Sequence, residues 1–273
     1  MSKLPIGIQL YSVREDMKAD FAGTLKKIKE MGYDAVEFAG LFEHSAAEVK
    51  AMCEEIGLIP VSAHVGRAVI MADVAKVVAD YAKIGCKFIV IPWASAEKEL
   101  PGSAGYADFL KDINTISAEC AKYGIKLLYH NHDFEFAKID GEYILDKLYS
   151  DTTPDVLQTQ IDTCWANVGG ENPANYVLKY SGRAPLVHIK DFVGSKSANM
   201  YELIDGGEVE GKAEAVPFEL RPVGYGVQDV LSIIKAAEKA GAQMVIVEQD
   251  QPSLGRTPIE CAKLSIDYIR TIY

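Results

Sequence analysis

The stretch LVHIKD, Leu186–Asp191, begins as an apolar strand and turns polar towards its C-terminal end. The same change occurs in LQTQID (Leu157–Asp162) before it and MVIVEQD (Met244–Asp250) after it. Towards the N-terminus the runs KLLYHNH (Lys126–His132), FIVIPW (Phe88–Trp93), LIPVSAH (Leu58–His64), DAVEF (Asp34–Phe38) and IGIQLY (Ile6–Tyr11) complete a set of eight. Their Val, Ile and Leu content reads as parallel strands covered on both faces, and the segments between them carry helical period. Eight such units imply an α/β fold: a single (β/α)8 TIM barrel formed by residues 1–273 as one domain. In that architecture chemistry gathers at the C-terminal ends of the strands.

Helix boundaries support this reading. Gly32, Gly57, Gly85, Gly124, Gly182 and Gly241 each close a helical stretch just before a strand, where a left-handed turn costs glycine little. Ser45 with Glu48, and Thr257 with Glu260, match capping boxes, and Pro173 follows Asn172 as a first-turn proline. Phe21, Leu25, Ile28 and Met31 form one apolar helical stripe. The spacing breaks once, because one repeat's length separates His130 from Asp162 and Asp162 from His188, while about two separate His188 from Glu248. The excess is an insertion or lid at about 193–226, after strand seven, rich in glycine and open to a two-strand hairpin.

A net charge of −11 works against a surface that tracks phosphate backbones, so no nucleic acid is expected as partner. No run reaches the length of a membrane span and the N-terminus offers no apolar signal core, so a cytoplasmic protein with no membrane contact is expected. Five scattered cysteines suit small buried groups rather than bridges. A homo-oligomer is compatible with the sequence, which leaves that state open.

Strand alternation selects the residues that face the barrel mouth. Asp162, His188 and Glu248 lie at equivalent ends of three successive strands and share that parity. A carboxylate, an imidazole and a second carboxylate make a mixed site for one divalent metal ion, Mn, Co, Mg or Zn. Strand five offers His130, His132 and Glu135 as the fourth ligand, with His130 the best aligned. Glu37, His64, His132, Glu135, Trp165 and Lys190, with Trp93, are expected to hold substrate hydroxyls or stack on a sugar face. The plainer alternatives are that Glu37 pairs with Arg14 or Arg67, that Lys190 pairs with Asp191, and that the tryptophans are core.

The order of these motifs, IDTCW then VHIKD then VEQD, resembles the xylose isomerase-like superfamily of sugar isomerases and epimerases across nearly the whole chain. IGIQLYS, EMGYDAVEF, LIPVSAH, GGENP and SGR strengthen the likeness. The resemblance implies one divalent metal on Asp162, His188, Glu248 and a strand-five residue. That residue is normally a glutamate in a Glu-Asn-His context, and here its place is taken by His130 in His130-Asn131-His132. Ketose epimerases of the family resemble two-glutamate machines, so His130 departs from their pattern.

The expected activity is a metal-dependent sugar isomerase or epimerase that moves a proton beside a carbonyl through an enediolate, with Glu248 and His130 as the catalytic pair. The alternative within the same fold is a dehydratase or lyase acting on a keto-sugar or keto-inositol, and a second alternative is a barrel that binds sugar without catalysis. The partner in each case is a small sugar or polyol. Gly194-Ser195-Lys196-Ser197 is a weak phosphate cradle at best, and apurinic-site endonucleases of the superfamily need more histidine ligands than five histidines supply.

Overall fold

The computed structural model describes residues 3–196 and 217–273. Eight parallel strands close a barrel in chain order: β1 Ile6–Gln9, β2 Ala35–Phe38, β3 Ile59–His64, β4 Phe88–Ile91, β5 Lys126–His130, β6 Gln158–Asp162, β7 Leu186–Ile189 and β8 Met244–Val247. Pairing of Ile6 with Val245 and of Gly7 with Ile246 seals the ring between β1 and β8. Several strands stop earlier than the sequence runs suggest, leaving Trp93, His132 and Asp250 in the loops beyond them. The polar ends therefore form turns at the mouth.

Alternation separates two apolar layers. Ala35, Val61, Phe88, Val90, Leu128, Leu186, Met244 and Ile246 fill the barrel interior, and a larger cluster lies between the sheet and the helices. Above the interior plug the inward positions turn polar at Gln9, Glu37, His130, Gln160, Asp162 and His188. One irregularity matters for the site. Between β2 and β3 the register jumps so that Val36 pairs with Pro60 and Glu37 with Ser62, which leaves Val61 as the extra residue of a bulge. Val61 packs inside the barrel, and strict alternation would then send Ala63 inward; the bulge instead sets Ser62 and His64 beside Phe88 and Val90.

The helix punctuation is as expected. Both capping boxes form, Asn172 caps the helix that starts at Pro173, and Gly32, Gly57, Gly85 and Gly241 end helices in the left-handed conformation. All five cysteines are buried and unbridged. No described helix is long and apolar enough to cross a membrane.

The insertion after β7 starts and ends on an antiparallel ribbon, Asp191–Val193 against Glu219–Arg221. Residues 197–216, most of the expected lid, lie outside the described residues. Asp191 holds the ribbon's base. Its Oδ1 accepts from the backbone N–H groups of Phe192 and Gln228 at 2.9 and 3.1 Å, and its Oδ2 from those of Gly224 and Gly226 at 2.9 and 3.0 Å. Space requires glycine at both positions, and at Gly224 the backbone conformation does too. A Cβ on Gly226 would lie 2.2 Å from Asp191 Oδ1, and one on Gly224, at φ +91°, would lie 2.3 Å from the Tyr268 ring. Asp191→Ala leaves four backbone donors without their acceptor, and a loss of about 2–4 kcal/mol of stability is expected in denaturant unfolding. A change below a few tenths would remove Asp191 as the anchor.

Candidate active site

Glu37 is the hub of the polar layer. It is fully buried, yet five groups converge on its carboxylate. Oε1 lies 2.8 Å from Gln9 Nε2, 2.7 Å from His188 Nε2 and 3.0 Å from His64 Nε2. Oε2 accepts from the Ser62 hydroxyl and from Gln160 Nε2, each at 2.6 Å. Burial acts to raise the pKa of Glu37, but the imidazoles of His64 and His188 more than reverse this and hold it well below the usual carboxylate range.

Because an ionised carboxylate only accepts, this hub dictates the protons around it. Gln160 must turn its amide nitrogen to Glu37, so its Oε1 receives His64 Nε2 at 2.7 Å and His130 Nδ1 at 3.0 Å. His130 is thus the Nδ1–H tautomer with its Nε2 lone pair free, 3.8 Å from Asp162 Oδ2. His188 likewise gives Nε2–H to Glu37 and turns Nδ1 to Glu248 Oε2 at 2.9 Å. Asp162 spends Oδ1 on the backbone N–H groups of Cys164 and Trp165, at the start of the helix that follows β6. Its Oδ2 is buried and accepts no hydrogen bond.

Ligand atoms of His130, Asp162, His188 and Glu248 all lie within 4.8 Å of one another. His64 also clusters with His130 and His188, but its Nε2 is committed to Gln160 and Glu37. The four-residue set fits a divalent cation, since it offers an imidazole lone pair and a buried carboxylate oxygen that accepts no hydrogen bond. The local charges compensate one another. Burial would lower the pKa of His188, but Glu37 and Glu248 raise it to about 10. Burial first, then the other imidazoles, lower that of His130 far below its ordinary value. Burial raises Asp162 to about 6 in spite of Lys190. Glu248, despite burial, is held well below the ordinary range by Lys190 and His188.

Lys190 is buried, and its Nζ lies 3.0 Å from Glu248 Oε2, 3.0 Å from Asp250 Oδ2 and 3.5 Å from Asp162 Oδ2. Its acidic partners are therefore not Asp191, which points the other way into the insertion's base. Above these groups opens a cleft of about 460 Å³, lined at one end by His130, His132, Lys190, Glu248 and Asp250, and elsewhere by Tyr11, His64, Val69 and Trp93.

With the geometry in place, comparison decides the family. The family model described as "Xylose isomerase-like TIM barrel" matches residues 25–272. The chain belongs to this family. It is 24% identical over 269 residues to the inosose dehydratase of Geobacillus kaustophilus (strain HTA426), covering 90% of this chain and 85% of that protein. Among solved structures, a sugar phosphate isomerase/epimerase from Parabacteroides distasonis ATCC 8503 superposes with a TM-score of 0.78 at 22% identity, over 99% of this chain and 94% of that one. The IOLI protein with a binding zinc atom gives 0.75 at 13% identity, over 98% of each chain. At these identities the structural likenesses show the shared fold.

Several expected roles change on this member of the xylose isomerase-like family. Glu37 pairs with neither Arg14, which holds the carbonyls of Tyr11 and Asp250, nor Arg67, which pairs with Glu99 and Asp112. Nor does it reach the cleft, because His64, His188 and Gln160 stand around it. Glu135 is turned behind β5, where Oε1 accepts from the Tyr129 hydroxyl at 2.6 Å and Oε2 from the His132 backbone at 2.8 Å. Burial lifts its pKa to about 8. Trp165 is buried beneath Lys190, with Phe218 stacked on it at 5.6 Å, and does not line the cleft. Gln160 and Asp250 share parity with their strand-end neighbours but had no role in the sequence reading.

The raised pKa of His188 has a consequence for stability. A base whose folded pKa lies above its unfolded value stabilises fully below the unfolded value, near 6.5, and loses that contribution as pH rises towards about 10. Each tenfold difference in proton affinity is worth about 1.4 kcal/mol. The cation-free protein is expected to lose stability between about pH 6.5 and 10, and Glu37→Gln, which removes one of the two counter-charges, to flatten that slope. Equal slopes in urea titrations of the two proteins would count against the Glu37–His188 pair.

Proposed function

We propose that the chain removes the proton next to the carbonyl of a keto-sugar or keto-inositol, at a divalent cation held by His130, Asp162, His188 and Glu248, and that an oxygen then leaves the neighbouring carbon. The observation that carries this reading is Asp162 Oδ2, buried without a hydrogen bond, among a set of potential ligands. A divalent ion bound there would polarise the carbonyl and acidify the adjacent C–H bond. The IOLI protein, which has the same fold, binds a zinc atom.

The remaining work falls to side chains. Glu248 is ionised, lines the cleft and accepts the proton. The C–H electrons form a carbon–carbon double bond, the β C–O bond breaks, and the departing oxygen carries the proton away as water or an alcohol. Lys190 faces the same cavity and supplies positive charge beside the developing negative oxygen. Its ties to Asp250 and Glu248 keep it there.

Elimination is favoured over epimerisation because the groups flanking the site are unlike. Epimerisation by two equivalent carboxylates would need a second acid opposite Glu248, and that place is held by a neutral imidazole committed to Gln160. The dehydratase relative agrees with this. The isomerase or epimerase reading is the second one, supported by the Parabacteroides distasonis structure.

The two diverge in D₂O with a panel of keto-sugars and keto-inositols. Elimination yields an enone that absorbs in the ultraviolet, whereas epimerisation gives deuterated sugar with no such absorbance. Glu248→Gln is expected to slow the reaction about 10²–10⁴-fold with the fold intact by circular dichroism. Asp162→Asn is expected to abolish Mn²⁺ retention on dialysis. Normal turnover in Glu248→Gln would refute the assignment.

A further inference from the structure

The cleft has two unlike ends. Towards β5–β8 it presents His130, Lys190, Glu248 and Asp250, while the short helix Arg67–Ala72 after β3 and the loop after β4 present Val69 and Trp93. These last two leave 61% and 46% of their surface exposed, large apolar groups facing the cavity that also holds the titratable cluster. Isolated exposed apolar residues are ordinary, but these share one wall. Trp93 is also braced. Phe134 meets it edge-on at 6.5 Å, and the Phe134 ring stacks on His132 at 5.5 Å. An aromatic run thus reaches from the reacting end to the mouth.

Size and charge narrow what the wall receives. A cleft of about 460 Å³ exceeds what one pyranose or inositol ring fills. Lys190 is the one cation among the described residues lining it, and its ammonium already faces Asp162, Glu248 and Asp250. A phosphate dianion would find two carboxylates at the inner end and an apolar wall at the outer end. A second ring with an apolar face matches that wall.

We infer that Val69 and Trp93 form a second subsite for a ring joined through a glycosidic oxygen to the keto-sugar, so that the substrate is a keto-glycoside rather than a free keto-sugar, a keto-inositol or a sugar phosphate. The inference rests on the carbonyl-adjacent chemistry proposed above and narrows its substrate. The balance is complete without a co-reactant. The proton leaves the carbon beside the ketone, its electron pair forms the double bond, the glycosidic C–O bond breaks, and the second ring departs as an alcohol.

Calorimetric titration in Glu248→Gln, the slowed variant, compares phenyl and methyl 3-keto-β-D-glucopyranoside. The phenyl glycoside is expected to bind about tenfold more tightly, and adding Trp93→Ala or, separately, Val69→Ser to bring the two within about twofold. Both residues are exposed enough for the variants to fold. Equal binding of the two glycosides, or a preference that both variants leave unchanged, overturns the subsite. Phenyl β-D-glucopyranoside, which has no ketone, separates the two ideas. Binding of it that weakens about tenfold in Trp93→Ala, with neither ketone turned over by the metal-loaded wild type, upholds the subsite and refutes the reaction. Turnover of both ketones with no Trp93 dependence does the reverse.

Discussion

A single buried carboxylate organises the mouth of this barrel. Glu37 is fully buried with five groups on its carboxylate, so every donor around it is fixed by its need to be satisfied. Through His188 directly, and through the amide of Gln160, it settles which nitrogen of three histidines carries a proton. The ligand set then follows: the His130 lone pair faces inward because its opposite nitrogen is spent on Gln160, and His188, held through Nε2 by Glu37, needs only to release its Nδ1 proton to do the same. Second-layer carboxylates commonly set the orientation of metal-binding histidines, and here one carboxylate serves several of them.

Buried charge is costly unless paired, and the site handles this by alternating signs. Glu37, His188, Glu248, Lys190 and Asp250 form an unbroken chain of acid and base from the barrel's centre to the cleft. A divalent cation would enter where His188 carries a proton and where Lys190 leans on Glu248 and Asp162. Release of that proton would offset one of the ion's two charges, and the surrounding carboxylates of Asp162 and Glu248 would take up the other. Asp250, in the loop just beyond β8, lets the ammonium keep a partner when the inner carboxylates are shared.

Much of this was legible in the sequence, for identifiable reasons. Eight apolar runs closed by glycine-terminated helices specify the barrel because each signal is local. Parity alone gathers Asp162, His188 and Glu248, since neighbouring parallel strands keep register, as the Asp162 and His188 pairing shows. Parity does not tell depth, and so Glu37, one layer below the cleft, read as a substrate contact. It also fails past the strand end, where the 134–136 turn folds Glu135 behind β5 and the helix after β6 carries Trp165 beneath Lys190. Naming Asp191 as the partner of Lys190 overlooked that adjacent strand residues point to opposite sides, whereas Asp250 shares the side of Glu248.

The β3 bulge is where two demands on the sequence meet. Filling the interior requires Val61 to point inward, and completing the Glu37 hub requires Ser62 and His64 to do so as well. A regular strand cannot serve positions 61, 62 and 64 on one face. One extra residue resolves the conflict by shifting the pairing against β2 by a single step, just where Glu37 needs its hydroxyl donor. The same shift brings His64 to the cleft wall, near the short helix that carries Val69. A local defect in the sheet thus joins the half of the barrel that orients protons to the wall that would receive the rest of a substrate.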